Sequence, residues 1–573
     1  MRLVILSCLL ILSASAAPAQ DTSLTGLWYS KRWFGPALRG ELVLQKSATE
    51  WRATIAGRAS DAHVARDSVS IDFPAGGTFI GSFSARRDSV RGQWVQVAAQ
   101  NFGRYASPLA LLPCGSGCYR GRVEPLEDTF TFYMDVKPRS GGTVGAFLRN
   151  PERNQGVFIR LRNLVRRGDT VDLRNERDQV IASGLLREGD LSVRLRFATH
   201  DFQKVPADSF TNFYPRGRPR VAYRYAPPRP RNDGWPVADA RDVGMSRERL
   251  SEMVQAIANN SVDSANAHRP HAILVARNGK LVLEEYFHGE HADKAHDTRS
   301  ASKTLTAIVL GAAMQAGMKV GPDTRVYATM GVRSDTLEAR KRAMTVRHLL
   351  TMSSGLDCDD NSNTPHPGSE DVLTNQDTNP DWTRTVLGLK TLRDPGAHAV
   401  YCSINPYLAG QVIAKATGRP FVDLISELVG APLQMSHYYI GLDPLGSAYM
   451  GGGARFVARD FLKLAQLYAN GGTWNGRRVV SKAWIRESTQ PLVPMGTNQY
   501  GYLWYVVEYP YAGRQTKAYA AFGNGGQFWM FIPELSLSIA GFGGNYADRS
   551  AVITANELIQ KYIIPAVLSR RRP

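Results

Sequence analysis

Arg299-Ser300-Ala301-Ser302-Lys303-Thr304-Leu305 opens an apolar, Ala-rich stretch that runs on to Met318. On a helix, side chains three apart share a face, with Cβ atoms roughly 5–6 Å apart. Lys303 therefore reaches the Ser300 hydroxyl from one turn on. A bare serine hydroxyl is a poor nucleophile and needs an adjacent base. A helix start directs the positive end of its dipole at a developing oxyanion. An amine desolvated among Leu305, Ala307, Ile308, Val309 and Leu310 loses proton affinity, as a base must. The S-x-x-K spacing alone recurs on many surface helices, but the apolar run behind it argues against a solvated face.

Around this segment the pattern is α and β. Ser246 is placed to cap a helix whose Leu250, Met253, Val254 and Ile257 share one face. His271 to Arg277 and Lys280 to Phe287 read as a hairpin turned by Asn278-Gly279. Tyr502 to Glu508, Gly526 to Ile532 and Ser536 to Phe542 read as strands, and Ala551 to Ile564 as a closing helix. The expectation for residues 237–566 is an α/β domain with an antiparallel sheet flanked by helices.

Residues 21–205 read differently. Short runs such as Ser68-Val69-Ser70-Ile71-Asp72-Phe73 alternate polar and apolar residues between Gly, Asp and Asn turns, which predicts an all-β barrel- or sandwich-like module. Two repeated halves are suggested, one opening at Gly26-Leu27-Trp28-Tyr29 and the other at Gly117-Cys118-Tyr119-Arg120. Residues 206–236, with Pro227-Pro228-Arg229-Pro230-Arg231, form an extended Pro/Arg-rich linker. Residues 1–20 carry a positive start, a short apolar run and Ala17-Pro18-Ala19, the pattern of a cleaved signal peptide. The expectation is an exported protein, periplasmic or secreted, with no transmembrane segment after signal cleavage.

After such cleavage four cysteines remain, Cys114, Cys118, Cys358 and Cys402, which allow three disulfide pairings. Membership of a common domain favours Cys114 with Cys118 and Cys358 with Cys402. No CxxC pair or neighbouring His stands at zinc-ligand spacing. His288, His291 and His296 form no HExxH, there is no G-x-S-x-G elbow, and they read as surface or loop residues, so no metal is expected. The formal charge of +18 comes from scattered Lys and Arg without a nucleic-acid module, so no nucleic-acid partner is expected. The basic surface instead favours anionic material.

Several further stretches resemble, in order, the serine β-lactamase and penicillin-recognising family, above all its class C-like esterase and nylon-oligomer hydrolase branches. They are Thr345 to Leu356, Pro395-Gly396 leading to Tyr401-Cys402-Ser403 and Leu408-Ala409-Gly410, and Gly451-Gly452-Gly453 with Ala458-Arg459-Asp460. Asn470-Gly471-Gly472 with Trp474 and Gly523-Asn524-Gly525-Gly526-Gln527 complete the series, over roughly residues 235–566.

The resemblance implies a cofactor-free serine hydrolase acting on a small ester, amide or peptide-like substrate, with a β-lactamase, a D-amino-acid peptidase or a penicillin-binding-type sensor that acylates without turnover as alternatives. Ser300 is then the acylated nucleophile, and Tyr401 with Lys303 handles its proton. The N–H groups of Ser300 and Gln527 form the oxyanion hole, and Gly525 and Gly526 bring that strand close to substrate. Ser403 stands where the family has Asn, with Asn405 as an alternative. Asn524 stands where β-lactamases and cell-wall peptidases carry Lys, which weakens binding of a substrate carboxylate there and shifts the expectation toward an esterase or amidase. The same resemblance gives a Cys358–Cys402 disulfide the task of bracing the tyrosine loop.

Overall fold

A computed structural model describes residues 22–33, 38–97, 103–127, 129–140, 143–153, 159–195, 198–206, 212–217, 221–262, 269–333, 335, 337–376, 378–435, 437–546 and 555–568. The expected signal peptide lies outside them. The described residues fall into two compact units. The smaller combines the residues up to Arg32 with those of Phe130–Phe213, and the larger holds Trp33–Thr129 with almost everything from Tyr214 onward.

The all-β expectation holds, but the two halves divide differently. Eight antiparallel strands from Gly40–Lys46 to Cys118–Val123 pair in sequence, and the last returns to pair with both the first and the seventh, Arg104–Gly115. This closes a barrel. Its strands alternate as the sequence predicts: Ser68–Phe73 buries Val69, Ile71 and Phe73 and exposes the residues between. The interior is filled by side chains including Phe79, Trp94 and Leu111. Gly117 to Arg120 thus falls at the closing strand of the barrel and opens no second half. Gly26–Trp33 joins the smaller unit instead. It sits between Thr129–Arg139 and Ala198–Val205 in a nine-stranded sheet, with Leu27 opposite Val205. A pairing across so much sequence leaves no local signature.

In the C-terminal half, eight antiparallel strands run in the spatial order Lys280–Tyr286, Pro270–Arg277, Leu537–Gly543, Gln527–Ile532, Arg514–Gly523, Tyr505–Tyr511, Asn498–Tyr500 and Val493–Met495. Helices cover both faces, and the side chains alternate between two cores. Ala272, Leu274, Ala276, Trp529 and Phe531 pack on the side of helices Leu305–Gln315, Ile404–Thr417 and Ala458–Ala469. Ile273, Val275, Phe528, Met530 and Ile532 pack against helix Arg247–Ala258 and the C-terminal segment around Ile559 and Ile563. Ser246 caps that helix by accepting from the Arg249 N–H at 3.2 Å. Asn278 and Gly279 take φ of +52° and +76°, the left-handed pair that a two-residue hairpin turn needs. Strand Arg514–Gly523, central to the sheet, is absent from the sequence reading. Its polar start and Ala-rich end show neither strong alternation nor β-branched enrichment.

Candidate active site

Ser300 lies in a 3₁₀ turn, Arg299–Thr304, which runs into helix Leu305–Gln315. In 3₁₀ geometry residues three apart eclipse one another, so Lys303 stands over Ser300 more directly than an α-helical start would place it. Its Nζ donates to Ser300 Oγ at 2.8 Å and also to the Gly451 carbonyl. Lys303 is 2% exposed. Burial lowers its proton affinity, while the Glu370 and Asp360 carboxylates pull the other way. Ser300 itself keeps partial access to solvent.

The turn is tied down from several sides. Thr298 Oγ1 donates to the Ala454 carbonyl at 2.6 Å, and the Gly453 N–H donates to the Arg299 carbonyl at 3.2 Å. Trp529 Nε1 donates to the Ala301 carbonyl at 2.9 Å, and Thr304 Oγ1 to that of Leu503 at 2.6 Å. Strand Arg514–Gly523 ends hard against it: a Cβ on Gly523 would stand 2.4 Å from the Thr298 carbonyl oxygen and 3.1 Å from Ala301 N. Arg299, the residue before Ser300, sits at φ +47°, an uncommon conformation for a side chain of this size.

Tyr401 joins the pair, with Lys303 Nζ 5.1 Å from the centroid of its ring. Burial pushes the phenol well above its ordinary pKa, the Ser300 hydroxyl acts in the opposite direction, and Glu370 and Asp360 raise it further. The phenol is therefore protonated at neutral pH. The Tyr401 carbonyl accepts from the Asp360 N–H at 3.0 Å, and Cys402 is bonded to Cys358. The other disulfide joins Cys114 to Cys118 at a barrel hairpin.

Ser403 is fully buried and is held by Asp360, to whose Oδ2 its N–H and its hydroxyl both donate at 2.6 Å. Asn405, on helix Ile404–Thr417, is also buried, with Nδ2 3.7 Å from Met352 Sδ. Asn524 is exposed at the turn between strands, and Gly525 and Gly526 follow at φ +95° and +94°. The Gln527 side chain is buried and clamps Gly543, accepting from its N–H at 3.1 Å and donating to its carbonyl at 2.7 Å. Its side chain is thus committed to the sheet, and any role toward substrate falls to its backbone.

A family model described as Beta-lactamase matches residues 255–554, more than half of the chain. The chain belongs to the beta-lactamase family. A 6-aminohexanoate-dimer hydrolase of Paenarthrobacter ureafaciens is 27% identical over 223 residues, covering 37% of this chain and 55% of that protein. Protein flp of Staphylococcus aureus (strain MW2) is 25% identical over 185 residues, covering 30% and 36%. The chain thus spans little more than half, and about a third, of the lengths of these two relatives. A family VIII carboxylesterase structure matches at TM-score 0.43 and 18% identity, over 55% of this chain and 97% of that one.

Three features of this beta-lactamase-family site go unseen in the sequence reading. The charges of Asp360 and Glu370 act on the Lys303 amine and favour its protonated form. Asp360 Oδ1 accepts from the Glu370 N–H at 2.8 Å, and Glu370 Oε1 accepts from the Tyr449 hydroxyl at 2.7 Å. The only local signal was Asp360 following Cys358 by two residues. The histidines are the third feature. His288 lies in a turn and His291 in an exposed loop, as expected, but His288 and His296 are buried, at 3% and 6% exposure, and His296 is on a strand. His296 Nε2 lies 2.7 Å from His271 Nδ1, its Nδ1 lies 2.9 Å from the Asp297 carbonyl, and its ring stacks on Phe542. Stacking and paired nitrogens make burial of these polar rings tolerable.

Proposed function

We propose that the chain is an exported serine hydrolase that cleaves ester or amide bonds through an acyl-enzyme on Ser300. The observation that carries this reading is the buried Lys303 amine 2.8 Å from Ser300 Oγ with the Tyr401 ring beside it. When the amine is neutral, the hydrogen bond reverses and Ser300 donates to it. Lys303 Nζ takes the proton as Oγ adds to the substrate carbonyl. The N–H groups of Ser300 and Gln527 hold the oxyanion. The carbonyl re-forms and expels the leaving oxygen or nitrogen. Lys303 returns the proton to it, with the protonated Tyr401 phenol as relay. Water then repeats the cycle on the acyl-enzyme and frees Ser300. Burial of the amine favours its role as base over a Tyr401 phenolate, because the same burial that lowers the proton affinity of the amine keeps the phenol protonated. The neutral Asn524 favours esters and amides over β-lactams, and the two disulfides accord with export.

Labelling with a fluorophosphonate followed by peptide mapping tests the assignment directly. The label is expected on Ser300, with none in S300A. Turnover of a nitrophenyl ester should fall by about 10⁴-fold or more in S300A and by about 10²- to 10⁴-fold in Lys303→Met. Ester turnover in S300A at the unsubstituted rate would refute the reading. Nitrocefin turnover exceeding that of simple esters would replace the esterase preference with a lactamase one.

A further inference from the structure

We propose that Arg299 is the substrate-anchoring cation of this site, and that the preferred ester or amide carries a carboxylate near the scissile bond. The inference rests on the hydrolase reading of Ser300 and names its substrate class. Arg299 directly precedes the nucleophile, and its side chain is about one-third exposed: 33%. Two sides of the guanidinium are fixed. Nε lies 3.1 Å from Asp297 Oδ2, and the plane sits over the Tyr546 ring at 4.9 Å. Among the described residues, no hydrogen-bond acceptor meets either terminal nitrogen. A guanidinium placed by an ion pair to Asp297, without a hydrogen bond from Nε, and by the Tyr546 ring on one face, with its fork open, is pre-organised for a bidentate carboxylate.

The fork also stands in the right neighbourhood. Tyr546 borders the segment that leads to Gln527, since a Cβ on Gly525 would lie 2.8 Å from Tyr546 Cδ1. Glu370, whose charge acts on Lys303 and Tyr401, acts on Arg299 too. The cation that the neutral Asn524 fails to supply from the strand is thus supplied from the nucleophile turn. Arg299 is held at positive φ, where Gly would be far less strained, so the turn retains this side chain at a conformational cost. The basic surface, at a formal +18, draws anions toward such a receptor.

The test compares matched esters on the full chain. One pair is the 4-nitrophenyl monoester of glutaric acid and its methyl ester, which puts the carboxylate on the acyl side. The other is 3-carboxyphenyl butyrate and 3-carbamoylphenyl butyrate, which puts it on the leaving side. The wild type is expected to favour one acid over its neutral partner by roughly tenfold or more in kcat/KM. Arg299→Gln should erase that preference and Arg299→Lys keep part of it. KM for the favoured acid should rise with added NaCl up to about 0.5 M, while KM for the neutral ester should not; this wild-type readout holds even if a variant folds poorly. Equal kcat/KM for both members of both pairs, or a preference that survives Arg299→Gln, would overturn the assignment. Ser300-dependent turnover of the neutral esters would then leave the hydrolase reading standing, whereas its absence would remove both.

Discussion

The barrel and the catalytic sheet are both antiparallel, yet they bury their strands in opposite ways. Ser68–Phe73 of the barrel alternates exposed and buried residues, whereas Pro270–Arg277 and Gln527–Ile532 of the catalytic sheet are buried almost throughout. A barrel has one interior and needs one apolar face per strand. A sheet with helices on both faces needs two, so its strands read as continuous apolar runs. The second arrangement also grips whatever is attached to it. Trp529, from the middle of the sheet, holds the carbonyl of Ala301, and Gly523 touches the Ser300 turn. The barrel core, by contrast, closes on itself. Damage of one chemical kind should therefore be read out as lost activity in one region and as lost stability in the other.

The disulfides give the largest contrast. Cys358–Cys402 closes a loop of 44 residues and Cys114–Cys118 one of 4. Loop-closure entropy assigns about 4 kcal/mol to the first and about 2 kcal/mol to the second. Replacing Cys358 and Cys402 with Ala should lower the urea midpoint accordingly and slow ester turnover as well, because Cys402 adjoins Tyr401. Replacing Cys114 and Cys118 should shift the midpoint about half as far and leave kcat unchanged. Equal effects on kcat would break the contrast.

Two glycines sharpen it further. A Cβ on Gly523 would meet the Thr298 carbonyl oxygen at 2.4 Å, and one on Gly92 of the barrel would meet that of Ile80 at 2.1 Å. Both contacts are with backbone, so something must shift. Gly523→Ala moves the Ser300 turn, and on the proposed function a misplacement of this order should cost about 10²-fold in kcat/KM. Gly92→Ala should lower the melting temperature while kcat per folded molecule stays near wild type. Stopped assays normalised to folded protein by circular dichroism distinguish the two.

What the sequence revealed follows from the same physics. The Ser300–Lys303 pair, the Asn278-Gly279 hairpin and the barrel alternation are local patterns, written within a few residues. The partner of Gly26–Trp33 is not local: its register with Ala198–Val205 is set by tertiary pairing alone. Strand Arg514–Gly523 carries Ala and Gly where it must let the Ser300 turn approach, and so lacks the bulky residues that mark a strand. His296 is buried and Asp360 and Glu370 are half-buried, and their placement depends on partners such as Phe542, Ser403 and Tyr449. In each of these cases the deciding neighbour is far away in sequence. The family motifs recover the catalytic half because they mark residues that converge on one site, whereas nothing comparable marks the barrel.

The smallest predicted effect concerns pH. Burial lowers the proton affinity of His296; Glu290 and Asp297 offset this in part, while Lys294 adds to it and His271 shares its hydrogen bond. His296 is thus neutral in the folded chain at a pH where an unfolded histidine, near 6.5, gains a proton. The folded state then binds fewer protons than the unfolded one. Its stability contribution is fully present above the ordinary histidine value and declines as the pH falls below it, by at most about 1.4 kcal/mol per pH unit. Urea midpoints measured from about pH 8 to about pH 5 should fall across that window. His296→Gln keeps an acceptor but cannot titrate, so it should flatten part of the slope. The effect should also reach catalysis, because His296 lies four residues before Ser300 on the strand that enters its turn. A slope identical in His296→Gln would place the acid sensitivity elsewhere.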